Sequence, residues 1–133
     1  MSELDRIDKQ LPILIVDDTS NMRRLVRGCL EQLGFLNVVE AENGEAALAK
    51  LQEEPFELIV SDWAMPNMMG IDLLRAVRAG SSHKAVPFLM VSEAQKDQVI
   101  EAARAGVSNY ILKPFTADDM QRKIESILPR REP

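Results

Sequence analysis

Five short apolar runs, at residues 11–16, 37–41, 56–61, 86–91 and 109–112, are separated by segments whose apolar positions recur at helical spacing. The clearest segment places Met22, Leu25, Val26, Cys29, Leu30 and Leu33 on one stripe, opened by Thr19 and Ser20 and closed by Gly34. This spacing predicts an amphipathic helix with a cap at each end. Shorter helices are predicted over 45–52 (Ala46, Ala47, Leu48, Leu51), 70–79 (Ile71, Leu74, Val77), 97–105 (Val99, Ile100, Ala103) and 117–128 (Met120, Ile124, Ile127, Leu128). Thr116 and Asp119 form a near capping box for the last of these, with Asp where Glu or Gln is usual. Strands apolar on both faces, alternating with helices, require a parallel sheet between two helical layers. The fold class is therefore α/β: a doubly wound, five-stranded parallel sheet flanked by five helices. The polar segments 1–10 and 129–133 read as flexible tails around a single domain at 11–128.

Composition narrows the function classes. The chain has 133 residues, 46% of them hydrophobic, and no apolar run approaches the roughly 18 residues of a membrane span, which argues against membrane insertion. A net charge of −5 provides no broad electrostatic footprint for nucleic acid, so DNA is not expected as a direct partner. The polar start lacks the basic and apolar regions of a secretory signal, and a cytoplasmic address is expected. Cys29, the one cysteine, has no second thiol for a disulfide or a zinc site and falls on the apolar stripe as a small core residue.

The candidate chemistry lies just past the end of each strand, because ligands of open parallel sheets bind beyond the carboxyl ends of the strands. Asp17 and Asp18 come after the first run, Asp62 after the third, Ser92 after the fourth, and Lys113 with Pro114 after the fifth. If the first and third strands are neighbours, three carboxylates meet. At an effective dielectric near 20, each pair about 4.5 Å apart repels by roughly 3.7 kcal/mol. Either one acid is then protonated with a raised pKa, or a cation occupies the cluster. Oxygen ligands open to solvent suit Mg2+, which favours phosphate oxygens as further ligands. Lys113 would supply a compact positive charge to a phosphoryl group, Ser92 a hydroxyl, and an Asp carboxylate a nucleophile. The plainer reading of Asp17 and Asp18 is that they cap and complement the next helix. His83 reads as a solvated loop residue. Trp63 reads as a site aromatic or as simple packing, and Met65, Met68 and Met69 as a partner surface or as loop packing.

Four stretches carry a resemblance. Leu14-Ile15-Val16-Asp17-Asp18, Ser61-Asp62-Trp63-Ala64-Met65-Pro66-Asn67-Met68, Leu89-Met90-Val91-Ser92 and Tyr110-Ile111-Leu112-Lys113-Pro114-Phe115 together resemble the receiver domain of two-component response regulators. The resemblance runs over residues 11–128 and is greatest to stand-alone chemotaxis members. It implies strand order 2-1-3-4-5 and a phosphoacceptor signalling protein without an output domain, which assists only its own phosphorylation and dephosphorylation. Asp62 would accept a phosphoryl group from a histidine kinase, and Mg2+ would be held by Asp17, Asp18, Asp62 and the backbone carbonyl of Ala64. Ser92 and Lys113 would contact the phosphoryl group, and Ser92 and Tyr110 would form the switch. Lys96, Val99, Ala103, Tyr110 and Lys123 match positions that contact the flagellar motor switch, the implied downstream target; a helper phosphatase is also implied. Lys113-Pro114 would be a cis peptide. One alternative is a receiver that signals to a non-motor protein. Another is a Mg2+-dependent phosphatase of the haloacid dehalogenase type, whose Asp-x-Asp motif is absent because Asp17 is followed by Asp18 and Thr19.

The chain departs from that pattern at two places: Ala64 stands where chemotaxis members usually have Asn, and Ser92-Glu93-Ala94 is one residue shorter than the family's loop. Both lie where hydrolysis of an acyl phosphate is controlled. In-line attack by water is hastened by a side chain that orients the water, and Ala64 has no group able to do so. Ala64→Asn should therefore shorten the phosphorylated lifetime by roughly 2- to 10-fold, the value of one hydrogen bond of about 0.5–1.5 kcal/mol. The check is the decay of phosphorylated Asp62 at fixed Mg2+; an unchanged or slower decay assigns control to water access or to the short Ser92 to Ala94 loop instead.

Overall fold

The structure, a computed structural model, describes residues 2–80, 82–93 and 96–130, with the side chain of Lys96 outside the description. Its strands are β1 (Ile13–Val16), β2 (Val38–Ala41), β3 (Leu58–Asp62), β4 (Phe88–Ser92) and β5 (Asn109–Leu112). Its helices are α1 (Ser20–Gln32), α2 (Gly44–Glu53), α3 (Gly70–Ala79), α4 (Lys96–Arg104) and α5 (Ala117–Ile127). All strand pairs are parallel and the order is β2-β1-β3-β4-β5, as the resemblance implied. The three central strands are buried along their whole length, which is why they read as unbroken apolar runs.

Alternation along those strands divides the core in two. Leu14, Val16, Ile59, Phe88 and Met90 pack against Ala47 and Leu51 of α2, Ile71, Leu74 and Val77 of α3, and Ala102 of α4. Ile13, Ile15, Leu58, Val60, Leu89 and Val91 point the other way, onto Val26, Cys29 and Leu30 of α1 and Met120 and Ile124 of α5. Helix ends obey the predicted signals. Thr19 caps α1 by accepting from the Met22 N–H at 3.4 Å, and past its other end Gly34 takes φ +100°, a conformation glycine adopts without strain. The Thr116–Asp119 box is reciprocal, with N–H to side-chain oxygen distances of 2.9 and 3.1 Å, so Asp reaches back as Glu would.

Three expectations need correction. The first ten residues are not simply a tail: Leu4–Arg6 forms a 3-10 turn, and Ile7 is fully buried among the apolar residues between the sheet, α1 and α5. Lys9 holds the turn by donating to the carbonyls of Leu4 and Ile7, and Glu3 pairs with Arg130 across the two ends of the chain. One isoleucine in a polar decade has no periodicity, so its burial was not legible; residues 131–133 lie outside the described residues. His83 is half-buried rather than solvated, its Nε2 accepting the Phe56 N–H at 3.0 Å and its ring lying 6.4 Å from that of Phe56. Strands β3 and β4 run one residue further than predicted and include Asp62 and Ser92. Trp63 and Met65 are buried and Met68 and Met69 are partly buried against the same core, so all four pack, and Trp63 also lines the cleft beside Asp62. No helix among the described residues is long and apolar enough to cross a membrane.

Ile7→Ala should destabilise the protein by about 2–4 kcal/mol, the usual cost of emptying a core site. The control Leu36→Ala, at a side chain 68% exposed, should stay within about 0.5 kcal/mol. Equal urea midpoints for the two variants would show that the N-terminal segment contributes no core.

Candidate functional site

The site forms at the carboxyl ends of β1, β3, β4 and β5. Asp17 leaves β1 with its N–H donating to the Ala41 carbonyl at 3.2 Å. Its Oδ1 accepts from the Thr19 N–H at 2.9 Å and the Thr19 hydroxyl at 3.0 Å, and its carbonyl accepts from Arg23 Nη1 at 2.7 Å. Every polar function of Asp17 except its second carboxylate oxygen is thus held by the start of α1 or by β2. Asp18, next in the chain, is exposed.

Asp62 ends β3 and is buried. The loop after it turns back so closely that Gly70, the first residue of α3, donates to the Trp63 carbonyl at 2.8 Å. A Cβ at Gly70 would lie 2.1 Å from the Asp62 carbonyl oxygen, so only glycine permits this approach. On the opposite side the β4–β5 pair supplies Ser92, buried at its strand end, and Lys113, whose N–H donates to the Ser92 carbonyl at 2.9 Å. The Lys113-Pro114 peptide is cis, as implied by the resemblance.

Lys113 Nζ lies 3.0 Å from Asp62 Oδ1. Oδ1 is buried, and Lys113 is the cation that faces it. Oxygens of Asp17, Asp18 and Asp62 come within 4.8 Å of one another, a separation at which each charged pair repels by about 3.5 kcal/mol at a dielectric near 20. Burial raises the Asp62 carboxyl above its ordinary value; Lys113 opposes the rise and the charge of Asp17 adds to it. An all-oxygen, acidic donor set that includes a buried carboxylate fits a hard divalent cation such as Mg2+. Asp62, Ala64, Ser92, Glu93 and Lys113 border a cleft of about 200 Å³ beside these carboxylates, with Ala64 exposed and Trp63 forming part of its wall.

The predicted acidic residues, Ser92 and Lys113 therefore converge. The implied switch and partner residues stand on neighbouring elements. Tyr110 is half-buried in β5 opposite Met90, with Lys123 Nζ 5.0 Å from its ring centroid. Val99 and Ala103 lie one turn apart on α4, half-buried and exposed respectively. The side chain of Lys96, and Ala94 of the short loop, lie outside the description. Sequence reasoning missed Thr19 and Arg23 as the holders of Asp17, and Gln98 of α4 at the cleft. Thr19 was visible only as a cap, and nothing in the sequence separates Arg23 from its basic neighbours Arg24 and Arg27.

The response regulator receiver domain family matches this chain over residues 13–125. The chain belongs to that family. A chemotaxis protein CheY of Pseudomonas aeruginosa is 54% identical over 121 residues, 90% of this chain and 98% of that protein. A CheY-3 of Vibrio cholerae is 49% identical over 125 residues, 93% of this chain and 96% of the other. The solved structure of chemotaxis protein CheY4 of Vibrio cholerae superposes with a TM-score of 0.83 at 32% identity, covering 90% of this receiver and 99% of that one. As a receiver the chain is a signalling protein, and its acidic cluster sits where its fold class binds ligands.

The electrostatics give a pH dependence of known sign. A carboxyl with a raised folded-state pKa binds its proton more tightly folded than unfolded. The stability of metal-free protein therefore falls as pH rises from about 3.9 through the raised value, and the full cost is present above it. Asp62→Asn removes the buried charge, so without divalent cation the variant should melt above wild type at pH 7. The gap should narrow toward pH 4, and added Mg2+ should close it at pH 7 by stabilising wild type. Calorimetric melts across that range, with and without Mg2+, provide the check.

Proposed function

We propose that this receiver is a phosphorylation-activated chemotaxis regulator with Asp62 as phosphoacceptor. The observation that carries the reading is the buried Asp62 carboxylate, paired with Lys113 at 3.0 Å and set beside two further acids. In the transfer, an Asp62 carboxylate oxygen forms the new O–P bond as the P–N bond of a phosphohistidine donor breaks and the kinase histidine leaves. Lys113 holds the negative charge that develops on the phosphoryl oxygens, and the Ser92 hydroxyl donates to one of them. Asp17, Asp18, Asp62 and the Ala64 carbonyl are the ligands for Mg2+, which when bound offsets both the carboxylate repulsion and the phosphoryl charge.

Signalling requires that a partner bind the phosphorylated state more tightly than the unphosphorylated one. The face for this is formed by Lys96, Val99, Ala103, Tyr110 and Lys123, next to the site in the chain order of β4, α4, β5 and α5. Ser92 and Tyr110 are the coupling pair: Ser92 ends β4, and β4 carries Met90, the register partner of Tyr110. Near-complete mutual coverage with proteins named for chemotaxis supports a flagellar motor switch as the target. A cytoplasmic location, a histidine kinase donor and a helper phosphatase complete the reading.

With Mg2+ and acetyl phosphate, which stands in for the kinase by releasing acetate, Asp62 should be the labelled residue. Asp62→Asn should abolish the label, and Lys113→Ala should slow labelling by about 100-fold or more through loss of the charge facing the phosphoryl group. Mass spectrometry of the labelled protein checks both; stoichiometric label on another residue overturns the assignment.

A further inference from the structure

We propose that Arg23 is a positioning residue for the acidic cluster, holding the backbone of Asp17 where its carboxylate can share a divalent cation with Asp18 and Asp62. This role rests on the reading of the acidic cluster as a metal site. The Arg23 guanidinium divides its donors between two elements: Nη1 donates to the Asp17 carbonyl at 2.7 Å, and Nε donates to Glu40 Oε1 of the edge strand β2 at 3.0 Å. Glu40 is itself anchored on its other oxygen by Arg27 Nε at 2.7 Å. The hydrogen bond from Arg27, together with the weaker effect of that from Arg23, holds the Glu40 carboxyl below its ordinary value against the opposing effect of burial.

Two of these contacts make the arrangement specific to Arg23. Arg27 touches Glu40 and the Val38 carbonyl, but not Asp17. Arg23 alone of the pair reaches the loop between β1 and α1, where Thr19 already fixes Asp17 Oδ1. A planar guanidinium can serve a carbonyl and a carboxylate together, which the single ammonium head of lysine cannot do in the same geometry. Outer-shell partners that orient metal ligands are typically worth 10- to 100-fold in metal affinity.

Charge and positioning predict opposite signs. Removing a cation from beside three carboxylates should by Coulomb's law tighten binding of Mg2+. Losing the strut should weaken it. Mg2+ titration of the full chain by calorimetry, without phosphodonor, therefore separates the two. Arg23→Gln should weaken Mg2+ binding by about 10-fold, and Arg23→Lys, which keeps the charge but only one donor head, should recover part of that loss. Arg27→Gln removes the same charge from the same glutamate without touching Asp17, and should change affinity by less than about twofold. Melting of the metal-free variants establishes that each is folded at the titration temperature, and Asp18→Asn is titrated in parallel as the ligand control. Unchanged or tighter Mg2+ binding in Arg23→Gln, or equal weakening in Arg27→Gln, overturns the positioning role while Asp18→Asn still weakens binding. If Asp18→Asn leaves the affinity unchanged, the metal-site reading itself fails and the inference falls with it.

Discussion

Mutual repulsion among Asp17, Asp18 and Asp62 is the constraint around which this receiver is arranged. Left to themselves, three carboxylates this close would separate or take up protons. They stay together because each main chain is held by something else: Asp17 by the sheet, Thr19 and Arg23, and Asp62 by its place at the end of a buried strand. Part of the folding free energy supplied by the two apolar layers is thereby stored as electrostatic stress. That stress makes the site receptive to a divalent cation.

Backbone geometry sets how closely these groups approach. Gly70 allows α3 to begin directly against the Asp62 carbonyl, where any side chain would collide, so β3 and the helix after it stay in close contact at this point. Lys113 hangs from the end of β5, and its N–H is tied to the Ser92 carbonyl. The stem that carries the charge opposite Asp62 is thus rooted in the β4–β5 edge. The same two strands carry Ser92, Met90 and Tyr110.

The opposite pole of the sheet is built differently. There Ile7, Leu11, Phe35 and Leu128 close the apolar layer under α1 and α5, and His83 satisfies the Phe56 N–H on the other side. An apolar groove of about 410 Å³ near Phe56, Val86 and Leu128 is larger than the acidic cleft, and its polar lining is Asp8, Glu57, Ser82, His83 and Arg130. The buried Asp62 carboxyl with its raised pKa lies at the smaller, acidic cleft, because burying charge, rather than enclosing volume, is what perturbs a carboxyl.

The element order, the parallel sheet, the faces of the helices and the residues at the strand ends were legible in the chain. They come from local periodicity, from capping chemistry at Thr19 and Thr116, and from apolar runs long enough only for buried strands. Asp17, Asp18, Asp62, Ser92 and Lys113 could be singled out because parallel strands bring their carboxyl ends together whatever the details of packing. Tertiary structure alone decided everything that depends on pairings distant in sequence. Arg23 looked like any surface cation until β2 placed Glu40 beside it, and Ile7 looked like part of a tail until α1 and α5 provided a space for it. Gly70 looked like a helix start until the end of β3 came within 2.1 Å of its missing Cβ. In each case the deciding partner lies on another element, and periodicity carries no information about which surfaces will meet.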